Sequence, residues 1–145
     1  MRTIKFRAWD TIKKKMWSAE EMGRDQLTLM PNGEGFINVS STSTRLSSFL
    51  KHLTPLRFVG LKDKNEVEIY EGDIVKIHWA AIELPMWDKK AVKMRHQIDY
   101  YLEIKYTNYG FRPYWNNTLW FDWKYLWWNK CEVIGNIYEN KNLLK

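Results

Sequence analysis

The chain has 145 residues and a mass of 17.6 kDa, with 45% apolar and 28% charged residues. These values are typical of one globular domain and exclude an intrinsically disordered or collagen-like chain. The single cysteine excludes an internal disulfide framework, and no apolar run is long enough to span a bilayer. The N-terminal charges are not followed by the apolar stretch of a signal peptide, so we expect a cytoplasmic protein.

Positive charge is concentrated near the N-terminus. The formal net charge is +6, and residues 1–17 hold six lysines and arginines against one aspartate. Such a local patch can attract nucleic acid, although a lysine run at a hairpin tip is also ordinary solvated surface. Lys13, Lys14 and Lys15 are therefore candidate nucleic-acid contacts, with a solvated turn as the alternative.

The first predicted elements form a hairpin. Apolar and polar residues alternate over residues 3–9, which predicts a half-buried strand, and residues 16–17 resume the apolar pattern after a turn. Ser18 and Glu21 then have the spacing of a capping box, which predicts a short helical turn.

A helix is predicted over residues 45–53, after a loop or weak hairpin in residues 23–43. Its apolar residues recur at i, i+3, i+4 and i+7, the spacing of one helix face, and Pro55 ends the pattern. These apolar residues are Leu46, Phe49, Leu50 and Leu53.

Strands dominate the remaining sequence. The apolar patterns predict strands over residues 56–61, 66–70, 74–79, 98–106, 111–115 and 131–138, the fifth at a sheet edge because of Pro113. Residues 80–97 read as a long loop or hairpin arm, and residues 119–128 fit a strand or a helix equally.

These patterns predict a single, mainly β domain. It comprises an N-terminal hairpin with one short helix (residues 1–55), a small SH3-like barrel (residues 56–139) and a polar tail (residues 140–145).

Three sequence blocks carry a family resemblance. They are Lys-Phe-Arg-Ala-Trp-Asp at residues 5–10, the stretch from Gly60 to Val75, and Glu-Val-Ile-Gly-Asn-Ile-Tyr-Glu-Asn at residues 132–140. In this order they resemble the YopX family of small phage and prophage proteins. The resemblance implies a mainly β fold, a phage origin and a bacterial host cytoplasm, and it implies no catalytic residues.

The sequence departs from the family pattern at two positions. The usual turn glycine is Glu66 here, and the usual proline near the C-terminus is Lys141. Glutamate accepts a positive φ poorly, so we expect the hairpin at Glu66 to use another turn type.

No pattern of reactive residues points to chemistry. The three histidines (His52, His78 and His96) lack metal-ligand spacing, and no glycine-rich phosphate loop is present. We expect Cys131 to be a buried core thiol. The acidic residues Glu68, Glu71 and Asp73 could form an acid–base pair, but an aspartate beside a turn more often caps backbone N–H groups. We therefore expect no enzymatic activity, cofactor or metal.

Tryptophan is unusually abundant, with nine residues, five of which lie in one stretch. They could fill the core, form a protein interface, or stack on nucleic-acid bases. The stretch contains Trp115, Trp120, Trp123, Trp127 and Trp128. We expect a phage accessory protein that acts through protein contacts, with itself or with a host or phage protein. The alternative is a nucleic-acid-binding module that uses the lysine tip and surface aromatics.

Overall fold

The chain folds into two compact units, Met1–Phe58 and Val59–Lys145. The computed structural model describes residues 3–40, 49–78, 99–108, 110–115, 118–119 and 130–144. Over these ranges the protein is mainly β with one short α-helix, and the predicted small barrel-like fold is confirmed. No helix in the described ranges is long and apolar enough to cross a membrane.

The first unit contains two small antiparallel sheet regions and the helix. Strand β1 pairs with β2 on one side and with the first half of β6 on the other, and β4 lies between β3 and β5. The elements are β1 (Phe6–Asp10), β2 (Lys15–Trp17), α1 (Ala19–Arg24), β3 (Leu27–Leu29), β4 (Phe36–Asn38), β5 (Phe49–Leu50) and β6 (Leu53–Lys62).

The second unit contains a five-stranded antiparallel sheet of order β11-β10-β9-β8-β12, and the second half of β6 pairs with β7. Its elements are β7 (Glu68–Tyr70), β8 (Asp73–His78), β9 (Asp99–Thr107), β10 (Gly110–Trp115), β11 (Thr118–Leu119), β12 (Cys131–Asn136) and a 3₁₀ helix (Lys141–Leu144). The expected polar tail thus includes a helical turn.

Each unit has its own apolar core, because alternate residues of its strands point inward. In the first unit Ala8, Met22, Phe36 and Leu53 are buried together. In the second, the register of β8 and β9 places Val75 opposite Leu102 and Ile77 opposite Tyr100, on one face of the sheet. That core consists of Val59, Ile69, Val75, Ile77, Leu102, Ile104, Phe111 and Cys131.

The helix predicted over residues 45–53 is wrong where the structure describes it. Phe49–Leu50 is strand β5, and Leu53 begins strand β6. Leu50 and Leu53 do pack against the first core, but they flank a two-residue turn between strands. A turn of that length places apolar residues three apart, as one helix turn also does. The helical residues are instead those after Ser18, where the capping box is present.

The strand containing Pro113 is also not the edge strand predicted. Strand β10 lies between β9 and the two-residue β11. Strand β11 pairs with Tyr114 and Trp115, whereas Pro113 is paired with Ile104 of β9. Residues 80–97, predicted as a long loop or hairpin arm, lie outside the described residues. Of residues 119–128, which fit a strand or a helix, Leu119 lies in strand β11 and the others lie outside the described residues.

A buried carboxylate fastens the turn between β6 and β7 to β12. Asp63 Oδ1 accepts hydrogen bonds from the backbone N–H groups of Asn65 and Val67, at 2.7 and 2.9 Å. Its Oδ2 accepts the N–H of Val133 at 2.9 Å. These bonds hold Glu66 at a φ of 65°, so the expected change of turn type is not observed.

Replacing Glu66 with glycine should stabilise the protein. A non-glycine residue in the left-handed region carries about 1–2 kcal/mol of strain, which glycine would remove. Glycine also gives the unfolded chain more conformational entropy, which offsets part of this gain. The exposed Lys62–Glu66 ion pair contributes little. We expect the free energy of unfolding of Glu66→Gly to rise by about 0.5–1 kcal/mol in urea denaturation.

The matched control is Asn65→Gly, because Asn65 lies in the same turn at a negative φ. It should be neutral or destabilising. Equal stabilisation by both substitutions would contradict the assignment of strain to Glu66.

Candidate functional site

Asp10 shapes the turn between β1 and β2. Its side chain is only 1% exposed, and Oδ1 accepts the backbone N–H groups of Ile12 and Lys13 at 2.9 and 2.8 Å. An aspartate that accepts N–H groups two and three residues ahead replaces the bonds that the turn backbone cannot make itself. The carboxylate therefore fixes the position of the residues that follow it.

The second oxygen of Asp10 faces a tryptophan and a histidine. Oδ2 accepts the indole Nε1–H of Trp17 at 3.3 Å and lies 4.0 Å from Nε2 of His52. The backbone N–H and hydroxyl of Thr11 both donate to the carbonyl oxygen of His52. The hairpin turn is thereby joined to the turn that precedes β6.

The protonation state of Asp10 follows from these contacts. Burial raises the pKa of its carboxyl, but the hydrogen bonds from Lys13, Trp17 and Ile12 and the nearby His52 together lower it further. The net effect is a pKa below the usual value of 3.8. Asp10 is thus a carboxylate at neutral pH, with its charge shared among hydrogen-bond donors.

The capping box of α1 positions one lysine on Trp17. Glu21 Oε2 accepts the backbone N–H of Ser18 at 2.9 Å, and its Oε1 forms a 2.6 Å ion pair with Lys15 Nζ. The hydrogen bond from Lys15 lowers the pKa of Glu21. Lys15 Nζ also lies 4.5 Å from the centre of the Trp17 ring, within reach of a cation–π contact.

An open cleft of about 440 Å³ lies in the first unit. This volume falls within the roughly 300–1,000 Å³ of small-molecule sites. Its lining combines cationic, acidic and aromatic groups, contributed by the hairpin turn, the end of α1 and the turn before β6. Among them are Asp10, Lys13, Trp17, Arg24, Asp25 and His52. A smaller open pocket of about 320 Å³ shares Trp17, Arg24 and Asp25 with it.

The three predicted lysines have different surroundings. Lys13 lines the cleft, with Nζ 5.2 Å from the centre of the Trp17 ring. Lys15 is paired with Glu21. Lys14 is exposed at the tip, in the left-handed region at a φ of 53°.

Of the five predicted tryptophans, the structure describes Trp115. Its side chain is 50% exposed, and its ring meets the edge of Tyr100 with centroids 5.9 Å apart. The other four predicted contact residues, Trp120, Trp123, Trp127 and Trp128, lie outside the described residues.

The Cys131 thiol and the Asp73 carboxylate, which the sequence offered as reactive groups, are both buried in the fold. Cys131 is fully buried, and desolvation together with Asp63 raises its pKa to about 12, so the thiol stays protonated. Asp73 is buried and accepts the backbone N–H of Tyr70 at 2.7 Å, as expected for an aspartate beside a turn. Within the described ranges no group of three His, Cys, Asp or Glu side chains could hold a metal.

Sequence reasoning did not identify Arg24, His52 or Asp10 as parts of one site. They come from three segments that only the folded hairpin and strand pairing bring together. Of these three residues, Asp10 has a local signal, since an aspartate that begins a turn often accepts its backbone N–H groups.

The fold and the cleft define a small, mainly β protein of two compact units, the first of which carries an open cleft of mixed charge. The family model described as YopX protein matches residues 5–145. The chain therefore belongs to the YopX family, and the resemblance found in the sequence is confirmed.

Two solved structures are similar to the chain over its whole length. Protein EF1440 from Enterococcus faecalis is 25% identical with a TM-score of 0.59, and both chains are covered completely. YopX from Bacillus subtilis is 19% identical with a TM-score of 0.57, covering 100% of this chain and 98% of that one. These similarities support the fold described above. A comparison with curated proteins found no match.

Asp10→Asn should destabilise the first unit at neutral pH. The amide loses the charge that accepts the Trp17 indole N–H, and a hydrogen bond to a charged group contributes about 1.5–3 kcal/mol. We expect the free energy of unfolding to fall by about 1–3 kcal/mol at pH 7. Because the folded pKa is lowered, this stabilisation is present above the unfolded pKa and is lost as pH falls toward the folded pKa.

Urea denaturation between neutral pH and about pH 3 measures both effects, and the difference between wild type and variant should shrink below about pH 4. Asp25→Asn is the control, because Asp25 is an exposed carboxylate of the same cleft. A difference for Asp10→Asn that stays constant over this range would contradict the account.

Proposed function

We propose that the protein is a non-enzymatic phage or prophage accessory protein that acts through protein contacts, first of all with a second copy of itself. Two of its most chemically suggestive side chains are used in the fold: the Cys131 thiol is buried and the Asp73 carboxylate caps a backbone N–H. Membership of the YopX family agrees with the sequence resemblance from which the phage origin is inferred.

The observation that carries the proposal is the exposure of two large aromatic side chains in the second unit. Trp115 at the end of β10 is 50% exposed and Tyr106 of β9 is 52% exposed. Large aromatic side chains are enriched at protein interfaces because they bury much area with few rotamers to order. Beside Trp115, strand β11 contributes only two residues to the sheet. A short edge strand limits backbone pairing of the sheet with another chain. Contact with a partner then depends on the exposed side chains.

Trp115→Ser should weaken self-association. Removing a central aromatic of an interface costs about 2 kcal/mol or more, which is over tenfold in the dimer dissociation constant. Sedimentation velocity over a concentration series should show a concentration-dependent dimer for the wild type and a shift toward monomer for the variant. Circular dichroism confirms that the variant is folded.

Ile12→Ser is the matched control, because Ile12 is 72% exposed and lies in the first unit. It should associate like the wild type. A wild type that stays monomeric at every soluble concentration would overturn self-association, and equal dimerisation by Trp115→Ser would overturn the role of Trp115 in the interface.

A second candidate function is binding of single-stranded nucleic acid by the lysine tip. The observation that favours it is the placement of Lys13 and Lys15 over the ring of Trp17, at 5.2 and 4.5 Å. Proteins that bind single strands combine cations for the backbone with aromatic faces for the bases.

The triple variant Lys13→Gln, Lys14→Gln, Lys15→Gln tests this candidate through its salt dependence. Each lost phosphate contact lowers the slope of log K against log salt by about 0.7 for single strands, so the slope should fall by about 2. Fluorescence anisotropy of a labelled oligonucleotide at several salt concentrations measures the slope.

The charge-matched control replaces Lys62, Lys64 and Lys141 of the second unit with glutamine. It removes the same charge while leaving the tip intact. Equal weakening by both triple variants would indicate attraction by net charge and exclude a site at the tip.

A further inference from the structure

The cleft of the first unit offers two cations to a ligand. Lys13 and Arg24 line it, and neither forms an ion pair with a carboxylate of the described residues. Lys15, just outside the cleft, is by contrast paired with Glu21 at 2.6 Å. A pair of such cations in an open cleft is suited to a doubly charged anion such as a phosphate monoester.

The acidic groups of the cleft differ in accessibility. Asp10 is 1% exposed, and its oxygens already accept three hydrogen bonds. Asp25 is exposed and lies on the same lining as Arg24. The cleft thus presents cations together with an accessible acceptor, which suits a ligand that carries both an anionic group and hydrogen-bond donors.

The half-buried ring of Trp17 forms an aromatic wall of the cleft. Its indole N–H is held by Asp10 at 3.3 Å, which fixes the orientation of the ring. Lys13 contacts the ring at 5.2 Å, and an exposed cation–π contact of this kind is weak enough for a flat ligand to displace. A displaced Lys13 would then be free to meet a phosphate beside the ring.

We propose that this cleft binds a nucleoside monophosphate, either as a free nucleotide or as a unit of a single strand. The phosphate lies between Lys13 and Arg24, the base stacks on Trp17, and an N–H group of the base donates to Asp25. The inference is independent of the Trp115 surface. The proposal makes the nucleic-acid candidate more specific. Binding in the cleft depends on Arg24, whereas the earlier candidate depends on the charge of the whole lysine tip.

The test follows the indole Nε1–H signal of Trp17 in two-dimensional ¹H–¹⁵N NMR spectra, assigned by its loss in Trp17→Phe. The ligands are AMP, dTMP, the matching nucleosides, inorganic phosphate and a short single-stranded oligonucleotide. Nucleoside monophosphates should shift this signal with saturation. Arg24→Gln and Lys13→Gln should each weaken binding about tenfold, the loss typical of one charge-assisted hydrogen bond.

The matched control is Lys14→Gln. Lys14 adjoins Lys13 in the chain but does not line the described cleft, so its substitution should leave nucleotide affinity unchanged. Saturable binding of the oligonucleotide alone, with the same dependence on Arg24, would support the proposal and assign the ligand to a strand.

Three results would overturn the proposal. They are the absence of any Trp17 shift with nucleotide or oligonucleotide, equal binding of nucleosides without phosphate, and equal binding of inorganic phosphate alone. Weakening by Lys14→Gln as large as that by Lys13→Gln would also overturn it, since binding would then follow the charge of the tip. The self-association of the protein is measured separately and does not affect these outcomes.

Discussion

The buried carboxylate of Asp10 is the interaction on which the first unit depends. Isolation of a charge from water is costly, and here three hydrogen-bond donors offset that cost. The same bonds fix the hairpin turn and orient the ring of Trp17. Because Lys13 is one of the residues whose backbone Asp10 holds, the carboxylate also sets one wall of the cleft. The Asp10 carboxylate therefore fixes both the hairpin turn and one wall of the candidate site.

The second unit uses polar side chains at its turns in the same way. Asp63 accepts three backbone N–H groups, one of them from β12. Asn136 accepts the N–H groups of Tyr138 and Glu139 after β12 ends. Gly135, just before it, lies so close to Asn140 that a Cβ there would collide with that side chain. Asp63, Gly135 and Asn136 lie in the blocks that resemble the YopX family. Backbone hydrogen bonding and close packing explain these three residues without a catalytic role.

Much of the fold could be predicted from the sequence because short-range patterns encode it. Alternation predicted the first hairpin, and the Ser18–Glu21 spacing predicted the start of the helix. The second predicted helix was wrong, because two strands and a tight turn can reproduce helical spacing in Leu50 and Leu53. The cleft could be predicted only in part, through Lys13. Arg24 and the Asp10 carboxylate join it through contacts between distant segments, which no local pattern records.

The first unit is organised around the Asp10 carboxylate. Amide hydrogen exchange of the β1–β2 turn tests this claim most directly, because the turn is exposed and Ile12 has a 72% exposed side chain. Protection of its amide must therefore come from the Asp10 carboxylate. The account predicts that the amides of Ile12 and Lys13 exchange markedly more slowly than that of Lys14 in the same turn. Exchange at the same rate in all three residues would contradict it.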